Sequence, residues 1–249
     1  MDKFVQGIQL WFSDLKADFI LNFIKEDRWK FITTGLKNTL IITFFALLIG
    51  VALGVIVAII RSSYDKTAKD MKKGFKKRIF GFFNLICNVY LTVIRGTPVV
   101  VQLMIMYYII FASSRNSLFV AILAFGINSG AYVAEIVRSG IMSIDPGQFE
   151  AGRSLGFNHV RTMWYIIIPQ ALKNVLPALA NEFIVLLKET SVAGYVTIRD
   201  LTMGGNIIRA NTYSPFMPLI AVALIYLVIV MILTWLVGRL ERRLRNGDR

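Results

Sequence analysis

The chain has one cysteine and one histidine among 249 residues. A lone Cys87 excludes an intrachain disulfide, and a lone His159 cannot build a histidine-based metal centre. Cys87 reads as a small apolar packing residue and His159 as a polar residue at a helix start. No G-x-x-x-x-G-K-[ST] loop occurs, so the chain has no visible means of binding ATP. No nucleophile stands in a catalytic constellation, which argues against an enzyme. Acidic residues are scarce as well, 15 against 28 Lys and Arg, leaving a net charge of +13. The long apolar segments lack the two-residue alternation that barrel strands require.

What the chain does have is apolar length. It is 56% hydrophobic, and the excess is gathered into runs. A helix needs about 20 apolar residues to cross roughly 30 Å of hydrocarbon. Residues 31–60 form one such run, interrupted by Lys37 and Asn38, and residues 118–137 and 216–238 form two more. An all-α membrane protein follows, with the lipid bilayer as its first partner.

The position of the positive charge sets the orientation. Residues 61–78 carry Arg61, Lys66, Lys69, Lys72, Lys73, Lys76, Lys77 and Arg78 against Asp65 and Asp70, and the tail 239–249 is similarly basic. Basic residues collect on the cytoplasmic side of spans, which places both segments there. A nucleic-acid surface would interleave aromatics on a folded domain, and neither feature is present, so nucleic acid is not an expected partner. In residues 1–28, Phe4, Ile8, Trp11, Phe12, Leu15, Phe19 and Phe23 recur at helical spacing among Asp2, Asp14, Lys16 and Asp18. That pattern predicts an extracytoplasmic interfacial amphipathic helix. The segment lacks the basic start and small-residue cleavage site of a signal peptide.

Residues 79–111 would make a single helix of about 50 Å, too long for one upright span. Pro98, in Arg95-Gly96-Thr97-Pro98, removes a helix bond and restricts the residue before it. The expected result is an interfacial helix up to about Arg95, then a second span over 98–112. A third span over 118–137, a fourth over 174–195 and a fifth over 216–238 complete the transmembrane domain, 29–249. Five spans put the N-terminus outside and the C-terminus inside. Two stripes, Gly50, Gly54, Ala58 and Gly126, Gly130, Ala134, recur every four residues and allow close helix approach.

Between the third and fourth spans lies GQFEAGRSLGFNHVRTMWYIIIPQA, residues 147–171, polar and facing the cytoplasm. Asp145 and Pro146 form a helix start, and Gln148 stands where a capping-box glutamine would reach back. Gly152 and Gly156, each costing about 1 kcal/mol relative to alanine, keep this helix short. Asn158 can cap a second helix running through Trp164 toward Pro169. Two capped helices meeting at a glycine make a compact knob. From the residues alone it is either a docking element or a surface helix covering the membrane face.

EAGRSLGFNHVRTMWYIIIP resembles the cytoplasmic signature of ABC importer permeases: E-A-A, three residues, G, nine residues, then I-x-L-P. Glu150, Ala151, Gly156, Ile166 and Pro169 match in register, with Gly152 replacing the second alanine and Ile168 the leucine. GLKNTLIITFFALLIGVALG at 35–54, YLTVIRGTPVVVQL at 90–103, GAYVAEIVRSGIMSI at 130–144 and NEFIVLLKETSVAGY at 181–195 resemble the polar amino-acid branch. The basic insert 64–78 and the N-terminal helix are less typical of it. The resemblance implies a multi-pass permease subunit of a prokaryotic plasma membrane that imports a polar or charged amino acid. It also implies that 145–169 is a coupling segment docking on separate ATPase subunits, which bind ATP and Mg2+, with Glu150, Ala151, Gly152, Arg153, Leu155 and Gly156 as contacts. A second permease copy or paralogue and an extracytoplasmic amino-acid-binding protein are the other implied partners. The rival reading is an ion-coupled secondary transporter. Such proteins commonly show inverted repeats, and this chain shows no internal repeat.

Polar residues at membrane depth form the second candidate site. A charge at the centre of a span costs about 3 kcal/mol, and each Leu, Ile, Phe or Val returns about 0.5. Glu182 is therefore expected to face away from lipid, either lining a substrate path with Asn181 or hydrogen-bonded to a neighbouring helix. Gln102, Asn128, Ser129 and Tyr132 offer further groups, with Ser129 and Tyr132 expected on one face; interhelical bonding is their other reading. Arg95, Glu135 and Arg138, with the Pro98 break, lie near the cytoplasmic boundary. An Arg95–Glu135 pair is expected there as a structural or gating clasp.

Overall fold

The computed structural model describes residues 6, 13–67 and 74–246. Phe4, Ile8, Trp11 and Phe12 of the expected N-terminal helix, Lys69, Lys72 and Lys73 of the basic insert, and the last three residues of the tail lie outside the described residues. Every regular element among the described residues is helical. The chain order is α1 (Trp29–Thr67), α2 (Phe75–Gly96), α3 (Val99–Ile105, prolonged by the wider turn Met106–Ile110) and α4 (Ser117–Met142). After these come α5 (Pro146–Ser154), α6 (His159–Thr162) and, through Met163–Ile167, α7 (Ile168–Glu189). A tight 3-10 stretch, Thr190–Val196, leads to α8 (Leu201–Thr212) and α9 (Phe216–Asn246).

Among the described residues, four helices are long and apolar enough to cross a membrane: Trp29–Asp65, Phe75–Gly96, Ser117–Met142 and Phe216–Leu244. Within its most apolar window α4 is 61% buried, against 33% for α1 and 11% each for α2 and α9, so α4 is the central helix. Its Gly126 and the Gly50 and Gly54 of α1 are where the two backbones meet. A methyl at Gly54 would stand 2.6 Å from Val133 Cβ and 2.8 Å from the Ala134 nitrogen; one at Gly126 would stand 2.8 Å from Ile49 Cβ. Residue numbers rise together along both helices, so α1 and α4 run parallel.

That parallel register fixes the topology. Two parallel helices in sequence require the intervening chain to return across the membrane once. Segments α2 and α3 do this jointly. Asn88 accepts a hydrogen bond from Arg61 near the inner end of α1, Tyr90 Oη donates to the Ile127 carbonyl (2.6 Å), and Gln102 pairs with Asn128. Leu103 then joins Ile42, Ala46, Ala121 and Phe125 in the main core cluster. The break at Thr97–Pro98 is where it was expected, but the lengths are reversed. The stretch read as interfacial is a 22-residue helix, and the stretch read as a full span is a helix of about 18 Å. The outward face of α2 carries Phe75, Ile79, Phe82, Leu85, Ile86, Val89 and Val93, all exposed. This continuous apolar face suits lipid, which explains how a helix beginning in a basic insert can run into the bilayer.

Segment α7 descends against α4 in the opposite sense, Ser129 meeting Glu182 and Gly140 meeting Ala171 and Val175. It begins earlier and ends earlier than the expected 174–195, because Met163–Ile167 and Ile168–Glu189 continue the helix started at His159. At the extracytoplasmic end α8 lies across α1 and α9: methyls at Gly204 and Gly35 would stand 2.5 Å from the Phe31 and Asp200 carbonyl oxygens. The described part of the N-terminal piece is tied to this end. Asn22 is fully buried, accepts from Thr212 Oγ1 (2.8 Å) and donates to Ser214 Oγ (3.2 Å) and the Asp18 carbonyl (2.8 Å). Phe19, Ile20 and Ile24 remain exposed on its other side.

Asp200, fully buried, caps α8 by accepting from the Thr202 (2.9 Å) and Met203 (3.3 Å) N–H groups. Burial nevertheless pushes its carboxyl from 3.8 up to about 6. A raised pKa means the folded state holds the extra proton, so the stability from this group is present below 3.8 and lost as pH rises through 6. The thermal midpoint of detergent-solubilised protein should rise as pH falls from 7 toward 5, and Asp200→Asn should flatten that slope. An unchanged slope would place the titration elsewhere. Gly54→Val should cost about 1–3 kcal/mol in denaturant unfolding through overpacking, whereas Gly238→Ala, with no atom within 4 Å of the added methyl, should stay within about 0.5 kcal/mol.

Candidate functional site

The cytoplasmic knob is built as two capped turns locked together. Asp145 Oδ1 accepts from the Gly147 N–H (2.7 Å), and Pro146 occupies the first helical position of α5. Gln148 does not close a capping box; its side-chain oxygen accepts from Gln170 Nε2 (3.2 Å) and so ties α5 to the start of α7. Helix α5 ends in a paired closure: the Phe157 N–H donates to the Gly152 carbonyl (3.0 Å) and the Gly156 N–H to the Arg153 carbonyl (2.9 Å). This needs a left-handed residue, and Gly156 has φ +77°. Asn158 Oδ1 then caps α6 through the Arg161 N–H (2.9 Å), as the sequence predicts.

The residues assigned to coupling divide between two faces. Glu150, Ala151, Arg153 and Leu155 are exposed, Leu155 at 72%. Gly152 is buried: a methyl there would stand 2.6 Å from Thr162 Cγ2 and 3.1 Å from Ile166 Cδ1. Its place in the signature is therefore a packing place, and the departure from alanine is explained by Thr162 on the facing turn. Thr162 and Phe157, which the sequence reading passed over, complete the knob. The knob's own residues line an open cavity of about 820 Å3, Ile144, Phe149, Glu150, Arg153 and His159 among them. Asn174 Nδ2 donates to Ser143 Oγ (2.9 Å), fixing the end of α4 to α7.

The membrane-depth residues do not form one cluster. Ser129 Oγ donates to Glu182 Oε1 (2.8 Å), with Ser129 1% and Glu182 8% exposed. Asn181 is exposed on another side of α7 and does not join them. Gln102 is engaged in capping: its Nε2 donates to the Ile94 (2.8 Å) and Thr97 (3.1 Å) carbonyls and to Thr97 Oγ1 (2.8 Å), and its Oε1 accepts from Asn128 Nδ2 (2.9 Å). Those carbonyls are the ones that the Pro98 break frees. Asn128 Oδ1 is buried without a partner. Tyr132, expected beside Ser129, is instead 36% exposed and lies under Arg95, the guanidinium carbon 5.9 Å from its ring centre. Arg95 and Glu135 do pair, at 3.4 Å, and Arg138 extends the series to Asp65 (3.4 Å) and back to Glu135 (3.9 Å).

Residues 74–246 match the family described as binding-protein-dependent transport system inner membrane component. The chain belongs to that family. This permease is 36% identical to the arginine transport system permease protein ArtQ of Bacillus subtilis (strain 168), over 88% of this chain and 94% of that one. It is 39% identical to the glutamine transport system permease protein GlnP of Escherichia coli (strain K12), over 69% of this chain and 81% of that one. Among solved structures, a crystal structure of an amino acid ABC transporter with histidines aligns with a TM-score of 0.75 and 42% identity, over 86% of this chain and 94% of that one. An inward-facing MetNI methionine ABC transporter shares the fold, with a TM-score of 0.71 at 18% identity, over 88% of this chain and 99% of that one. The chain is thus a multi-pass permease subunit of an ABC importer, and the ATPase of such a system lies in partner subunits.

Restoring the family's alanine tests the packing assigned to Gly152. Gly152→Ala should loosen the knob by about 1–3 kcal/mol, read as faster tryptic cleavage at Arg153 and Arg161 in nanodiscs. Adding Thr162→Ala, which removes the opposing atoms, should recover most of the protection. Equal cleavage of the single variant and the parent would sink the packing assignment.

Proposed function

We propose that this permease imports a polar or charged amino acid across the plasma membrane of a prokaryotic cell into its cytoplasm. The observation that carries this is the knob. An in-register importer signature sits on a doubly capped element at the inner end of the central helix, with Glu150, Ala151, Arg153 and Leu155 turned outward. Two ATPase subunits, which bind ATP and Mg2+, dock there. Two copies of this chain, or one copy and a paralogue, enclose the path, and an extracytoplasmic amino-acid-binding protein delivers the substrate. Relatives named for arginine and glutamine transport support this substrate class.

Within the path we place Glu182, positioned by Ser129, as the acceptor for a substrate's ammonium group; Asn181, exposed on another side of α7, stands apart from it. A carboxylate at this depth is expensive unless it is hydrogen-bonded or faces a polar route, and Ser129 occupies only one of its oxygens. ATP binding drives the assembly toward one arrangement and hydrolysis resets it. This chain supplies binding and motion.

The test is uptake of a panel of labelled amino acids into proteoliposomes holding the permease with its cognate ATPase and binding protein. Uptake of one polar amino acid should require ATP, and Glu150→Ala should lower it at least tenfold. Uptake driven by an ion gradient without the ATPase would replace this reading with the secondary transporter.

A further inference from the structure

Helix α2 meets the cytoplasmic boundary with an arrangement that the transport reading does not use. Its most apolar window is 11% buried, so most of its surface is left for lipid. The side turned to the protein is polar and aromatic. Asn88 accepts from Arg61 of α1, and Phe80 packs edge-on against Tyr64 with ring centres 5.4 Å apart. The side turned away carries Phe75, Ile79, Phe82, Ile86 and Val89 at spacings of three and four, one exposed stripe. From Ile79 to Val89 the stripe runs about 15 Å, the depth of one leaflet. Two exposed cations flank its head. Lys76 stands one turn before Ile79 and two before Phe83, and Arg78 one turn before Phe82 and two before Leu85. Residues 71–96 contain no acidic side chain, while Lys72, Lys73 and Lys77 add to the positive charge. Asp65, on the last turn of α1, already pairs with Arg138 (3.4 Å). Positive charge alone is expected at the cytoplasmic end of any span. What is particular to α2 is a pair of cations seated on either side of an apolar stripe one leaflet deep.

We propose that the inner end of α2 is a site for an anionic phospholipid of the cytoplasmic leaflet. Its headgroup phosphate is held between Lys76 and Arg78, and an acyl chain lies along Ile79, Phe82 and Ile86. A guanidinium fork takes two phosphate oxygens, and an ammonium binds a third as a point charge. Both stems can lie along apolar surface while their charged ends stay at headgroup level. A zwitterionic lipid offers the same chains but brings a cation toward two cations, so charge selects the anionic one. Helix α2 is bonded to α4 through Tyr90 and to α1 through Asn88. The lipid therefore steadies the return crossing from its inner end, where the bundle covers it least.

The permease is copurified with its cognate ATPase subunits, delipidated in a neutral detergent and titrated with phosphatidylglycerol or phosphatidylcholine. Bound lipid is counted by native mass spectrometry. Phosphatidylglycerol should bind, and phosphatidylcholine should not compete with it. One Lys or Arg near an anionic surface is worth about fivefold in affinity, so Lys76→Gln with Arg78→Gln should weaken binding on the order of twentyfold. Lys76→Arg with Arg78→Lys, which keeps both charges, should bind as the parent does. Arg242→Gln with Arg243→Gln removes the same charge from the exposed part of the basic tail and should leave binding unchanged. Equal weakening by the tail pair would reduce the effect to general attraction and overturn the site, as would equal binding of the two lipids. Equal competition by glycerophosphoglycerol, the headgroup without chains, would assign the pair to a soluble phosphate and overturn the lipid assignment. Unchanged lipid binding in Lys76→Gln with Arg78→Gln, together with weaker retention of the ATPase subunits, would assign the two cations to a protein contact instead.

Discussion

The backbone-to-backbone approach of α1 and α4 is the constraint that the remaining contacts inherit. Within lipid the hydrophobic effect does not draw helices together, so their attraction depends on close packing. Gly50, Gly54 and Gly126 provide it by removing side chains at the crossing. Parallel packing at that distance forces residues 74–116 to cross the membrane once, although they contain apolar helix enough for more. The break at Thr97–Pro98 resolves this excess by dividing the return into α2 and α3. The carbonyls freed at the break are then taken by Gln102, whose position in RGTP-V-V-V-Q places it one turn beyond the proline.

The same geometry distributes the polar residues. Asn128 and Ser129 are adjacent on α4, so they point to different neighbours, Asn128 to α3 and Ser129 to α7. Polar side chains at depth thus serve two purposes in one turn of helix. One closes a backbone break, which lipid could not hydrate; the other orients a carboxylate. The Tyr132 side chain, one turn further along, lies under the Arg95 guanidinium instead.

Much of this was legible from composition and local chemistry. Apolar runs marked α1, α4 and α9, basic segments gave the orientation, and the Asp145–Pro146 and Asn158 starts located the knob, because each depends on neighbours in sequence. What stayed hidden depends on neighbours in space. The small-residue stripes on α1 and α4 announce close contact without naming the partner or its direction. Gln102 and Asn128 could be read as path-lining or interhelical groups, because the partners of Gln102, the Ile94 and Thr97 carbonyls, are exposed only by the way the break folds, and Asn128 bonds in turn to Gln102. Gly152 reads in the sequence as a replacement of the signature's second alanine, and the reason for it, Thr162, lies on the facing turn. Asn181 follows Ala180 on a helix whose apolar stripe is interrupted by Lys173 and Pro177, so periodicity alone did not show which side it faces.

The knob is joined to the bundle at two points, and this decides what it can transmit. Ser143, at the end of α4, is bonded to Asn174 of α7, and Gln148 of α5 is bonded to Gln170 at the start of α7. Val175 also fills the space left by Gly140. The paired closure at Gly156 and the cap at Asn158 remove the slack that a flexible loop would have between these points. Packed elements respond to load by moving between discrete arrangements, since their interfaces do not deform continuously. Displacing the knob therefore moves α4 and α7 together, and these are the helices that carry Ser129 and Glu182. With the ATPase docked as proposed, work delivered at Glu150 and Leu155 would reach the Glu182 carboxylate through these two helices.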